Sequence, residues 1–244
     1  MYAVVVENLV KKFGKVKALD GLTFSVREGE IFGLVGPNGA GKTTTLRIIA
    51  TLLYPTSGSV KVFGLDTVRE ADEVRKLISY LPEEAGTYEN LTGYEFLEFF
   101  ASLYTDNKED MKRMVSEAIR IANLGERIYD KTKTYSKGMK RRLLVARTLM
   151  VNPRLAILDE PTSGLDTSFA VQIRNIVKDY NRNRGTTILL SSHNMLEVEY
   201  LCDRVALINQ GKIVAMGSPR ELKEKYSAEN LEEVFIKIIG GASP

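Results

Sequence analysis

Eight residues constrain this chain more than any others: GPNGAGKT, Gly36 to Thr43. They fit the spacing G-x-x-x-x-G-K-[ST], with the apolar run EIFGLVG before them and the helix-like TTTLRIIATLL after them. Glycines let successive backbone N–H groups turn inward around an anion, and a helix start adds its positive end at the same point. The loop commits the chain to a strand–loop–helix unit, and such units assemble into parallel sheets covered by helices. Gly36, Pro37, Asn38, Gly39, Ala40, Gly41 and Thr44 form or flank the expected phosphate cradle. Lys42 adds a point charge for β- and γ-phosphates, and the Thr43 hydroxyl can ligate Mg²⁺.

The remaining sequence follows that lead. YAVVVENLV and LTFSVREG read as strands before the loop; GSVKVFG and LISYLPEE read as strands after it. From about Thr92 the pattern turns helical. Thr92 and Glu95 form a capping-box pair before FLEFFASLY, which suits either core or a docking face, and EDMKRMVSEAIRIANL is a second helix. YSKGMKRR opens a third. Strands return at RLAILDE and TTILLSSH, separated by a helix from about Ser168 to Arg182. Asn194 with Glu197 and Ser218 with Glu221 mark two helix starts, the latter with Pro219 at the first helical position, and VALINQGKIVAMG reads as a hairpin between them.

Composition limits the alternatives. The 244 residues, 44% apolar, suffice for one large domain or a domain with a subdomain. No run approaches the roughly 18 apolar residues of a membrane helix, and the N-terminus lacks the order of a secretion signal, so a soluble cytoplasmic chain is expected. A net charge of +3 is too small to point to nucleic acid. Cys202 is the only cysteine, which excludes an intrachain disulfide; its apolar setting, EVEYLCDRVALI, reads as core filler.

Three further features carry chemistry. Asp159 and Glu160 end an apolar strand, where uncompensated acids are costly. They either meet solvent or divide labour: Asp159 holds Mg²⁺ through its water shell, and Glu160 polarises the attacking water. The turn SGLD then leads to Asp166 as a helix N-cap. His193, the single histidine, ends TTILLSSH on the same sheet edge and suits a γ-phosphate contact more than a metal. In YSKGMKRR, Ser136 can cap a helix, Gly138 permits close approach, and Lys137, Lys140, Arg141 and Arg142 add positive field at an anion seat.

In this order, GPNGAGKT, YSKGM, LAILDEPTSGLD and a strand-terminal His193 resemble the nucleotide-binding subunit of ABC transporters, over essentially the whole chain. The resemblance implies an α/β P-loop NTPase core, with a mostly parallel sheet flanked by helices, an antiparallel β portion near the N-terminus and an inserted all-helical lobe. Residues 1–85 and 151–218 would form the core, 86–150 the lobe and 219–244 a helical tail. It further implies ATP hydrolysis with Mg²⁺, in a head-to-tail homo- or heterodimer that powers an integral membrane transporter subunit at the inner face of the membrane. YSKGM keeps only Ser136 and Gly138 of the usual signature, and the resemblance places these two on the ATP of the facing subunit. Phe13, in KKFGKVKAL, matches the adenine-stacking aromatic, with core packing as the alternative. Glu83 stands where the family has glutamine; its added charge opposes ATP but strengthens a Mg²⁺ contact. The tail LEEVFIKIIGG resembles the drug- and lipid-exporter branch, or is an ordinary amphipathic helix. A soluble ATPase of this type, unconnected to transport, is the alternative function. A GTPase is set aside for want of an N-K-x-D base-reading motif. For a P-loop kinase, YSKGMKRR could mimic an arginine-rich lid.

Overall fold

Two apolar periodicities lead to two sheets. In a computed structural model that describes residues 1–241, the alternating segments β1 (Tyr2–Phe13) and β2 (Val16–Arg27) pair as an antiparallel hairpin. The uniformly apolar β3 (Ile31–Val35) follows, then α1 (Lys42–Ile49), β4 (Ser57–Val62), β5 (Leu65–Asp66), α2 (Ala71–Leu77) and β6 (Ile78–Leu81). The next regular elements are helices: α3 (Gly93–Ser102), α4 (Lys108–Ala122) and α5 (Lys137–Leu149). The chain continues with β7 (Leu155–Asp159), α6 (Thr167–Arg184), β8 (Thr187–Ser192), α7 (Met195–Leu201), β9 (Arg204–Asn209), β10 (Lys212–Gly217), α8 (Pro219–Lys225) and α9 (Leu231–Ile239).

One sheet has the order β2-β1-β4-β5 and is antiparallel throughout. The other has the order β10-β9-β3-β8-β7-β6; only its β10–β9 edge is antiparallel. The central strands of the second sheet explain their own composition. Phe32, Leu34, Leu155, Ile157 and Leu189 face the antiparallel sheet and α1, while Ile31, Val35, Ala156, Leu158, Ile188 and Leu190 face the helices. Burial on both faces is why these strands read as continuous apolar runs rather than as alternations. At Gly33 a Cβ would stand 2.7 Å from Val198 and 2.9 Å from Cys202 Sγ, so the missing side chain lets α7 lie on β3. Cys202 is core, and burial pushes its thiol well above the usual cysteine value.

The capping signals mark real helix starts. Thr92 and Ser218 form capping boxes, and Asn194, Asp166 and Ser136 each accept a backbone N–H of their first turn. α2 was not expected; it is short, and Glu70 at its start makes no capping bond. LISYLPEE is strand only as far as Leu81, and α1 stops at Ile49, before a left-handed Thr51. An N-K-x-D string does occur, Asn107 to Asp110, contrary to the expectation. It caps a lobe helix, with Asn107 Oδ1 accepting from Glu109 and Asp110 and the Asp110 carboxylate paired with Arg113. No helix among the described residues is long and apolar enough to cross a membrane.

Candidate active site

Parallel registry gathers four strand ends on one edge. Val35 lies opposite Ser192, Asp159 opposite Ser191, and Leu81 opposite Leu158. Immediately beyond these ends come the glycine loop, His193, Glu160 and Glu83. This carboxyl edge is where open α/β sheets bind ligands.

The loop is shaped by its neighbours as well as by its glycines. A Cβ on Gly36 would collide with the Ile208 carbonyl of β9, and Gly41, at φ +109, would place one 2.6 Å from Leu19. The Lys42 side chain is nearly closed off from solvent. Its Nζ donates to the Gly36 and Pro37 carbonyls at 2.7 and 3.2 Å and lies 3.2 Å from Glu160 Oε1. A cavity of about 300 Å³ opens beside it, lined by Asn38, Thr44, Ala18, Glu83 and Glu160 among others.

Asp159 is fully buried. Its Oδ1 accepts from Ser191 Oγ at 2.6 Å and Thr43 Oγ1 at 3.1 Å, and its Oδ2 accepts from Tyr80 at 3.2 Å. Burial and the Asp159 charge push the Tyr80 phenol up to about 12, so it stays a donor at neutral pH. A buried carboxylate surrounded by neutral hydroxyls lacks a directly bonded cation, and its oxygen-only donors match a hard divalent ion. Thr43 and Asp159 therefore fit Mg²⁺.

Glu160 divides its carboxylate. Oε2 lies 2.8 Å from His193 Nδ1 and accepts the His193 backbone N–H at 3.3 Å. Oε1 is buried without a hydrogen bond; Lys42 is near enough to attract it but is not aligned to donate. The Glu160 backbone is left-handed, at φ +48, and its N–H donates to Ser191 Oγ at 2.9 Å. The His193 side chain is 48% exposed, so the ring reaches from the buried base to the open cleft.

Other expected residues stand apart from this cluster. Phe13 is 50% exposed at the end of β1, with Lys11 Nζ 4.9 Å over its ring; it is not core. Ser136 is exposed and caps α5, with Met139 N–H donating to its Oγ at 3.2 Å. Neither Ser136 nor Gly138 lines the cavity beside the loop of its own chain. The close approach that Gly138 allows is internal: a Cβ there would enter the Phe169 ring of α6. Lys137 folds over Gly164.

The basic run does not act together as a field at the helix start. Arg142 donates to Gln172 Oε1 at 2.9 Å and to the Asn123 carbonyl at 3.2 Å, while Arg141 turns inward and is 8% exposed. Helical spacing carried that signal, because Arg141 shares a face with the buried Leu144, Val145 and Thr148. Sequence reasoning also missed Ser191 and Tyr80 as partners of Asp159. It assigned Glu197 only to a helix start, yet Glu197 is buried, accepts from Thr162 Oγ1 at 2.6 Å and is raised in pKa by that burial.

A family profile described as "ABC transporter" matches residues 19–163. The chain is 37% identical over 236 residues to the linearmycin resistance ATP-binding protein LnrL of Bacillus subtilis (strain 168), covering 97% of this chain and 76% of that one. It is 40% identical over 229 residues to the daunorubicin/doxorubicin resistance ATP-binding protein DrrA of Streptomyces peucetius, covering 94% and 69%. Among solved structures it is similar to a dimeric ATP-binding cassette in a post-hydrolysis state bound to ADP and phosphate. That match has a TM-score of 0.78 and 27% identity, and covers 88% of this chain and 98% of that one.

Proposed function

The chain belongs to the ABC transporter ATP-binding family, and from that premise we propose which of its residues carry out ATP turnover and what the turnover drives. It is an ATP-binding and hydrolysing subunit of a transporter. The single observation that carries the mechanism is the divided carboxylate of Glu160. His193 holds one oxygen, and the other is buried, unbonded and 3.2 Å from Lys42. Phosphate oxygens entering the Gly36–Thr44 cradle compete for Lys42 Nζ and draw it from the loop carbonyls and from Glu160. That frees Oε1 to accept a proton from water attacking the γ-phosphate. His193 keeps the carboxylate oriented and presents its exposed ring edge to the same phosphate. Thr43 and Asp159 would hold Mg²⁺, with Glu83 lining the same cavity, and the ion would supply positive charge to the phosphate oxygens. Phe13 provides an exposed face for adenine stacking.

Ser136 and Gly138 complete the site of a second copy or a related subunit, head to tail. The exposure of Ser136 and the separation of both residues from the cavity of their own chain support this reading, as does the dimeric form of the similar cassette. Residues 86–150 serve as the signature lobe, 1–85 and 151–218 as the ATP-binding core and 219–244 as the tail, whose helix α9 packs beside α7. The subunit works at the inner face of the membrane beneath a membrane-spanning partner, and the resistance relatives favour an exporter of drug-like molecules. The test is Glu160→Gln. It is expected to retain ATP binding, to lose at least about 100-fold in kcat, and to accumulate an ATP-bound dimer in sedimentation velocity. Wild-type turnover, or a monomer under ATP, overturns the assignment.

A further inference from the structure

Arg141 takes no part in that chemistry, yet it is among the most completely bonded side chains near the site. An arginine offers five N–H donors in one plane, and here all five are engaged. Nε donates to the Pro161 carbonyl at 2.7 Å. Nη2 donates to the carbonyls of Asp159 at 3.0 Å and Glu160 at 2.5 Å. Nη1 donates to those of Glu83 at 3.0 Å and Pro82 at 3.3 Å. Every acceptor is main chain, and together they come from only two segments, the end of β7 and the loop after β6.

One of these bonds falls on a left-handed residue, Glu160. A non-glycine residue keeps a left-handed conformation only when its surroundings hold it. Glu160 is held from two sides, by Ser191 at its N–H and by Arg141 at its carbonyl. Rotation of that backbone would swing the carboxylate away from Lys42 and His193. Arg141 also stands on the helix that Ser136 begins, little more than one turn from the exposed cap.

We propose that Arg141 is a positioning residue for hydrolysis: it fixes the backbone of Glu160, and with it the direction of the carboxylate, from the signature helix, and ties the Glu83 loop to the same point. A shift of α5 is then felt at Glu160 and Glu83 together. Lysine cannot replace it fully, because one ammonium does not span both segments. The inference rests on Glu160 being the base of ATP hydrolysis.

A double-mutant cycle on the intact dimer tests it. Arg141→Met is expected to lower kcat about 10- to 100-fold with less than about a threefold change in KM for ATP, since misplacement by an ångström is enough for such losses. Arg141→Lys is expected to recover part of the rate. In the Glu160→Gln background, Arg141→Met is expected to leave the residual turnover unchanged, because there is no longer a base to misplace. An unchanged kcat per folded molecule, or the same factor lost in both backgrounds, overturns the proposal and leaves Arg141 a purely structural residue. Should Arg141→Met not fold, Arg141→Lys carries the same cycle with the same outcomes. Failure of the underlying reading is separate and visible: Glu160→Gln would itself turn over at the wild-type rate.

Discussion

The edge at Lys42, Asp159, Glu160 and His193 and the helix start at Ser136 are both built for anions, yet they are finished to different degrees. At the edge, each charged group already has partners within the chain: Lys42 rests on two carbonyls, Asp159 on three hydroxyls and Glu160 on His193. At the helix start, the Ser136 hydroxyl accepts one capping bond and otherwise meets solvent, while Arg141 and Arg142 behind it turn into the fold. A site completed in cis is buried and internally balanced. A site that awaits a second chain is left open, and its helix is anchored from behind. That difference supports the proposal that the two seats belong to one composite site shared by two subunits.

The largest expected effect lies at the edge. Lys42→Ala removes the charge that the phosphates meet and should cost about 100- to 1,000-fold in turnover, read by phosphate release at saturating ATP. Turnover near wild type would show that the edge is not the seat of catalysis. Next comes the division of labour between the seats. A dimer mixed from one Lys42→Ala subunit and one Ser136→Arg subunit should trap one nucleotide per dimer, because both lesions fall in the same composite site. No trapped nucleotide would mean that each loop uses the helix start of its own chain. A smaller effect is expected at Phe13. Phe13→Ala should weaken ATP binding by about 0.5–1.5 kcal/mol, or several-fold in Kd, without changing kcat; an unchanged Kd would remove the ring from the adenine site.

The smallest effect tests how charge is buried behind the edge. Burial raises the acid of Glu197 above its ordinary 4.5, so the folded state holds its proton more tightly than the unfolded chain does. That contribution is fully present below about pH 4.5 and is lost as pH rises through the raised value. Glu197→Gln, which can keep the Thr162 bond, should therefore gain in Tm relative to wild type at pH 7 and lose that advantage below pH 4.5. A Tm difference independent of pH would show that the carboxylate is not under strain.

Residues whose roles follow from local geometry were legible in the sequence. The phosphate loop is one, because its glycine spacing, lysine and threonine specify a backbone and a charge without help from distant contacts. Helix caps are another, because Thr92, Asp166 and Ser218 bond to their own next turn. Asp159, Glu160 and His193 could be placed on one edge because strand-terminal positions in a parallel sheet converge. Arg141 was misread because the basic run was taken as one unit, although its helical spacing to Leu144, Val145 and Thr148 sets it on the buried face. α2 was missed for the opposite reason: it lacks a side-chain cap and rests on packing through Val74.

The sequence alone therefore determined the fold class, the phosphate cradle, the acid pair and the order in which they occur, since each rests on short-range stereochemistry or on the two-sided burial of a strand. Only the tertiary structure decided that β3 lies between β8 and β9, that Ser191 and Tyr80 hold Asp159, that Gly138 makes room for Phe169, and that Arg141 grips the backbone of Glu160. Those facts join residues from about 20 to more than 170 positions apart along the chain, and which such pairs meet is set by how the whole core packs rather than by any one stretch of it.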